Sequence, residues 1–350
     1  MASTTRTPEE AYRQKKISMA TSGMKIALLM PMTAIVQNLF NSSVTDSLSG
    51  ALPDKVILSA IISITLVAIG DIIAGIGTFL WNCASGRGLK EYKRTCGLKV
   101  SWMMLISAAF AGPLATGCWM AATPFCGLTM VAVITSLGPI LTALIGRFFL
   151  KEKLNSRIIF GIVIVVAGAI VAGWEGVSGG GSNYIIGIIL ALMAPIGFTL
   201  EGQFSTYAGD MIDPNVGCGF FRCFGSGVIG LVAMAILAAA TGNLEFYTQI
   251  FSLILSEPML ILFTILMGLI GAVNYNAAYL AFNRTGPSRT LAIDSSRPLW
   301  SIPFGFLFSA LGIATYTVTG MQILGAIIVV VGLILIISKP SDLVNLRNVE

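Results

Sequence analysis

The run from Val56 to Trp81 reads VILSAIISITLVAIGDIIAGIGTFLW, and Asp71 is its one ionisable carboxylate. A helix rises 1.5 Å per residue, so a stretch of this length spans the roughly 30 Å of hydrocarbon in a bilayer. Working outward, similar apolar blocks recur along the whole chain. Hydrophobic residues make up 55% of the 350 positions and charged residues 11%. Soluble domains carry roughly 25% charged residues, so too few charges are present here to cover a water-facing surface.

Spans are expected at 23–41, 56–81, 101–122, 127–149, 157–174, 184–207, 216–240, 257–281, 288–311 and 317–337. An open chain satisfies its backbone in lipid only as helices. The alternation that a transmembrane barrel needs is missing. The fold class is therefore all-α: a polytopic membrane protein with ten transmembrane helices.

Loop charge sets the orientation. Arg6, Arg13, Lys15 and Lys16 precede the first span. Arg87, Lys90, Lys93, Arg94 and Lys99 follow the second, and Arg147, Lys151, Lys153 and Arg157 the fourth. Arg284 and Arg289 follow the eighth, and Lys339 and Arg347 close the chain. All fall on one side; the other has Lys55 alone. The positive-inside rule places both termini in the cytoplasm, with the cell membrane as the expected location. The acidic segment Gly209 to Asn215 is the one poor fit.

The net charge of +5 carries no aromatic interleaving or basic stripe, so nucleic acid is not an expected partner. No histidine is present, and the six cysteines form no CxxC. Imidazole chemistry and the usual zinc motifs are thereby removed, and no cofactor, metal site or enzymatic activity is expected. Residues 1–22 are polar and have no signal-peptide core.

The chain also repeats itself. A shift of 159 residues lays Gly112 on Gly271, Ala122 on Ala281, Gly127 on Gly286, Ser136 on Ser295 and Pro139 on Pro298. Five more residues of offset align Gly161 with Gly325 and Gly168 with Gly332. The same offset brings Pro31 over Pro195, Gln37 over Glu201 and Phe40 over Phe204. The expected organisation is a cytoplasmic tail (1–22), a five-helix repeat (23–177), an external linker (178–183), a second five-helix repeat (184–338) and a tail (339–350). Five is odd, so the repeats are inverted, a recurrent transporter device with its site at the midplane.

The run from Pro139 through Glu152 to Leu154, followed by Gly161 and Gly168, resembles the repeat unit of the drug/metabolite transporter superfamily, specifically its EamA-type members. The resemblance covers about residues 23–338 and is stronger in the first half. In the second half Pro298, Gln322, Gly325 and Gly332 fit, but Ala310-Leu-Gly-Ile stands where an acidic residue would match Glu152. The resemblance implies a ten-helix fold with cytoplasmic termini and alternating access, and it leaves the substrate open.

Charge inside hydrocarbon costs roughly 2.5–3.5 kcal/mol on insertion scales, so such residues face the bundle interior. Glu201 and Arg222 fall at similar depths and are expected to form a structural ion pair. Asp294 and Arg297 are three residues apart, hence on one helical face. Asp71 falls near the same depth and is expected close to both. Asp71, Asp294 and Arg297 are candidate substrate-binding residues. Asn274, Asn276, Gln37 and Asn38 add polar groups, and Tyr275, Tyr279 and Trp119 are candidate aromatic walls.

The expected function is secondary transport of a small organic solute by alternating access, with export favoured. The solute would be an amino acid, a metabolite or an amphipathic compound. Protons are the candidate coupling ion, acting on Asp71, Glu201 or Asp294, and the assembly is expected to be a monomer or homodimer. The alternatives are a channel or divalent-cation carrier, and a membrane receptor that transports nothing. Hard cations want clustered oxygens, and arginines match the buried acids here.

Overall fold

The structure is a computed structural model describing residues 7–51, 56–151, 154–172, 184–313 and 318–337. Lys55, Glu152, Lys153, the 178–183 linker and the 339–350 tail lie outside the described residues. Every element among the described residues is helical. Together with the apolar composition, this makes the chain an all-α polytopic membrane protein.

Helix α1 (Pro8–Ala27) opens on a capping box. The Thr7 hydroxyl accepts from the Glu10 amide, and the Glu10 carboxylate accepts from the Thr7 amide. Two of the orphan amides at the helix start are thereby satisfied. Much of the polar tail is thus helical, and it runs almost directly into α2 (Leu29–Ala51). The combined apolar helix Pro8–Leu48 is long enough to cross a membrane, as are Ala60–Ala84, Ser101–Ala122, Tyr184–Gly209, Pro214–Ala240 and Pro258–Thr285. Three shorter apolar helices, Gly138–Phe149, Ser156–Ala172 and Gly320–Ile336, accompany these six.

Beyond α3 (Val56–Ala84), the short amphipathic α4 (Leu89–Cys96) lies in the basic loop. Helix α5 (Ser101–Ala109) widens into a π-helical turn, Phe110–Gly117, before α6 (Cys118–Thr135). Pro113 sits in that turn and has no amide hydrogen to donate. The Thr116 hydroxyl reaches back five residues to the Ala111 carbonyl at 3.0 Å. Helices α7 (Gly138–Phe149) and α8 (Ser156–Ala172) complete the first half. The second half holds α9 (Tyr184–Gly209), the single turn α10 (Pro214–Gly217), a π-helical turn Cys218–Phe224 and α11 (Gly225–Ala240). After these come α12 (Leu244–Ser256), α13 (Pro258–Thr285), α14 (Pro287–Asp294), α15 (Arg297–Ala310) and α16 (Gly320–Ile337).

Two expected boundaries move. Hydropathy puts a loop between spans 3 and 4, at residues 123–126; the structure carries α6 through it and breaks at Ser136–Leu137 instead. The expected span 288–311 is likewise cut at Ser295–Ser296 into α14 and α15. Each break stands just before a proline, Pro139 or Pro298. Proline disfavours helical backbone in the residue before it and removes a hydrogen bond. The two breaks are also 159 residues apart.

The structure corrects the expectation that Arg289 is a loop charge. It lies on α14 at 1% exposure. Gly286 takes φ +85°, and Pro287 starts the next helix at once, so the chain turns without a solvated loop.

Helices α8 and α16 pack backbone against backbone. A Cβ on Gly325 would collide with the Ala172 amide nitrogen and lie 2.5 Å from the Gly168 carbonyl. A Cβ on Gly332 would lie 2.9 Å from the Gly161 carbonyl. The glycines that the 164-residue shift aligns therefore meet across this seam. Small residues of this kind let membrane helices pack backbone to backbone.

Candidate functional site

Arg222 is the centre of the polar interior. It lies in the π-helical turn before α11 and is 1% exposed. Its Nη1 donates to Asp71 Oδ2 on α3 at 2.8 Å, and its Nε donates to Glu201 Oε1 on α9 at 3.1 Å. The planar, rigid guanidinium fork makes such a bridge possible. The guanidinium carbon of the same group lies over the Tyr275 ring, 4.0 Å from its centroid. Tyr279 donates its hydroxyl to Glu201 at 3.2 Å, and Ser226 donates to Asp71 at 2.5 Å.

Local sequence explains why the pieces fit. A Cβ on Gly112 would collide with the Ser226 hydroxyl and stand 3.1 Å from Asp71. Only glycine lets the widened turn after α5 approach this cluster. Irregular π-helical turns are frequent at functional sites, and here one abuts the cluster while the other carries Arg222.

The cluster joins a cavity of about 80 Å³. Glu201 and Arg222 form part of its wall, with Asp294 and Arg297 on another. Arg297 opens α15 and donates Nη2 to Asp294 Oδ2 at 2.5 Å across the break before Pro298. Gln37, Asn38, Trp119, Asn274 and Tyr275 also line it. Gln37 donates to the Tyr275 hydroxyl at 3.3 Å, and Asn274 to the Met30 carbonyl at 3.4 Å.

Three candidates stand elsewhere. Asp71 is not in the cavity wall; the sequence puts it beside Asp294 and Arg297, and the structure gives it Arg222 and Ser226 instead. The fork of Arg222 reaches across to α3, whereas Arg297 finds its carboxylate within its own chain segment. Tyr279 lies behind Glu201, touching the Ser107 hydroxyl at 3.4 Å. Asn276 points into the contact of α13 with α3, donating to Thr78 Oγ1 at 2.8 Å.

Sequence reasoning misses Ser226, Ser107, Thr116 and Asn41. Asn41 lines the cavity and donates to the Met120 sulfur at 3.2 Å. Hydroxyls and amides in apolar runs carry little signal, because they can also bond their own backbone.

One guanidinium faces two carboxylates in the Arg222 cluster, and Asp71 Oδ1 is buried without a hydrogen-bond partner among the described residues. With both acids ionised the cluster is one negative charge in excess. The two carboxylates differ: Asp71 is sealed behind the wall, while Glu201 faces the cavity.

A helical membrane bundle around a charge-bearing cavity is an arrangement that many transporters share. Residues 42–174 match the EamA-like transporter family. Protein LicB of Haemophilus influenzae is 23% identical over 212 residues, covering 59% of this chain and 67% of LicB. A solved crystal structure superposes with a TM-score of 0.63 at 17% identity, over 89% of this chain and 96% of that one, which shows a shared fold. The matches agree with the drug/metabolite transporter resemblance carried by Pro139 to Leu154. They support a membrane transporter of that type.

Proposed function

We propose that this chain is a secondary transporter that moves a small organic solute through the cavity by alternating access, in the direction of export. The candidate solutes are an amino acid, a metabolite or an amphipathic compound. One observation carries the reading. A largely apolar cavity inside the bundle has walls drawn from both halves of the chain and charged residues of both signs, Glu201, Arg222, Asp294 and Arg297, in its lining. Buried ionisable groups in a membrane are costly and mark solute or ion pathways.

At about 80 Å³ the cavity is far below the 300–1,000 Å³ typical of ligand pockets. A solute larger than a few atoms requires the walls to part. The inverted five-helix repeats, 23–177 and 184–338, supply that motion by rocking. Repeat-related helix breaks before Pro139 and Pro298 support this division. In the same reading both termini are cytoplasmic. Protons are the coupling ion and act at Glu201, the carboxylate of the central cluster that faces the cavity.

A thermal-shift screen of the purified protein finds the solute. Flux in reconstituted vesicles, with and without a pH gradient, then tests the carrier. Asp294→Asn and Arg297→Gln, made singly, should each lower uptake about tenfold or more, the scale of one charge-assisted hydrogen bond. Wild-type uptake by both variants at every pH removes these residues from the mechanism.

A further inference from the structure

Helix α13 carries a bare apolar face that ends in charge. Leu262, Ile265, Leu269 and Val273 are exposed and follow the three- and four-residue spacing of one helical face. Continued by whole turns, the same face reaches Leu280 and then Asn283 and Arg284. Asn276 also falls on it but spends its amide inside the protein, on Thr78 Oγ1 at 2.8 Å and the Ala272 carbonyl at 2.7 Å. From Leu262 to Leu280 the rise is about 27 Å at 1.5 Å per residue, close to the roughly 30 Å of hydrocarbon in a bilayer. The face is therefore apolar through the depth of the membrane and turns polar at the level of the headgroups.

At that level lies a cleft of about 500 Å³ whose lining includes Met19, Trp81, Arg87, Asp213, Asn283 and Arg284. Helix α1 forms one bank, tied to α13 by Arg284, whose Nη1 donates to the Ser22 hydroxyl at 2.8 Å. The end of α3 forms the other. A Cβ on Gly77 would lie 3.1 Å from Leu269 Cδ2, so α3 also borders the apolar face below the cleft. Trp81 stands 69% exposed at the top of that helix, above exposed Leu80 and Ile76. Arg87 donates Nε to Asp213 Oδ2 at 2.8 Å; among the described residues its Nη amines have no partner, and its side chain is 37% exposed. No carboxylate among the described residues pairs with Arg284. The lining thus holds two cations and one anion. A second carboxylate, Asp210, stands just outside it and accepts from Asn283 at 3.1 Å.

We propose that this cleft binds the phosphate headgroup of an anionic phospholipid from the leaflet that the basic loops face, with an acyl chain laid along Leu280, Val273 and Leu269. The lengths agree. Leu280 to Leu269 is about 17 Å of helix, and one leaflet supplies about half of the roughly 30 Å core. The chemistry agrees as well. Guanidinium groups match phosphate oxygens in pairs, tryptophan settles at headgroup level, and basic pockets between membrane helices hold anionic headgroups. Asp213 opposes an anion, but Arg87 already neutralises it, which leaves Arg284 as the surplus charge. The inference is independent of the carrier reading and needs only that the outer face of α13 meets lipid.

The test titrates the full chain, purified in a neutral detergent, with phosphatidylglycerol and counts bound lipids by native mass spectrometry. The first phosphatidylglycerol should bind about fivefold or more tightly than phosphatidylcholine, the scale of one arginine near an anionic surface. Glycerol phosphate at about tenfold excess should not displace it, because it lacks the acyl carbons whose burial supplies part of the affinity. Arg284→Gln and Arg87→Gln should each weaken binding about tenfold, on the scale of a charge-assisted hydrogen bond. Asp213→Asn removes the opposing charge and keeps the acceptor that caps α10, so it should tighten binding about two- to fivefold. Lys99→Gln is the control: it removes an equal charge from the same basic loop, outside the cleft, and should change binding less than about twofold. Equal affinity for the two lipids overturns the site, as does an equal loss in Arg284→Gln and Lys99→Gln. Full displacement by glycerol phosphate would make the cleft a plain anion site and overturn the lipid. A dimer carrying no phosphatidylglycerol would give the α13 face to a second copy and also overturn it. Should Arg284→Gln yield no folded protein, Arg87→Gln and Asp213→Asn decide, since their expected effects have opposite sign.

Discussion

The α8–α16 seam and the Arg222 cluster solve the same problem by opposite means. Both bring together segments far apart in sequence, inside lipid, where no hydrophobic drive pulls one apolar helix towards another. The seam does it with absence: Gly161, Gly168, Gly325 and Gly332 remove side chains so that backbones touch. The cluster does it with charge: one guanidinium holds α3, α9 and the turn before α11. A seam of glycines packed among Val165, Val329 and Ile336 offers dispersion contact and carries no ionisable group at its glycines. A cluster with a surplus carboxylate facing a cavity can exchange partners. In the proposed mechanism the seam stays closed and the cluster is the place where binding acts.

The largest expected effect breaks the cluster. Arg222→Gln leaves two buried carboxylates with no cation between them, and removing one partner of a buried pair costs about 3–5 kcal/mol. The detergent-solubilised variant should lose its cooperative melt or yield no folded protein. Arg222→Lys should not restore it, because a single ammonium cannot reproduce the Nε and Nη1 fork. A variant with glutamine at this position and wild-type melting would show that the cluster does not hold the helices.

The next effect breaks the seam. Gly325→Leu inserts a side chain where even a Cβ collides with the Ala172 backbone, and overpacking of this kind costs about 1–3 kcal/mol or more. Melting temperature should fall, while the solute-induced shift survives in what remains folded. Ile327→Ala on the outward face of the same helix, 57% exposed, should leave melting nearly unchanged.

The smallest effect on stability sharpens the contrast most. Glu201→Gln keeps the shape and the acceptor for Arg222 and removes the surplus negative charge. Melting should hold or rise slightly. Solute affinity should change about tenfold, on the scale of a charge-assisted hydrogen bond, and flux should lose its dependence on a pH gradient. Normal, pH-dependent flux in this variant would move the coupling site away from Glu201.

The seam is legible in the sequence, because the glycines that a 164-residue shift aligns are the residues that meet. Helix identity and the ionisable candidates are legible too. Boundaries near proline are less so. Ser136-Leu-Gly-Pro139 and Ser295-Ser-Arg-Pro298 break helices that hydropathy alone runs together or splits elsewhere. Arg289 escapes such a reading because hydropathy treats any arginine near a span end as solvated, and only the immediate Pro287 restart carries it inside.

By itself the sequence determined the solvent around this protein, its helical content, its repeated glycines and which charges had to be sheltered. Those follow from composition and from spacing within one helix, where rise and periodicity fix distance. Only the tertiary structure decided the partners: Asp71 with an arginine 151 positions away instead of Arg297, and Arg87 with a carboxylate 126 positions away. Contacts between helices depend on rotation, crossing angle and local widening of the turn, and none of these is written in the spacing of a single segment.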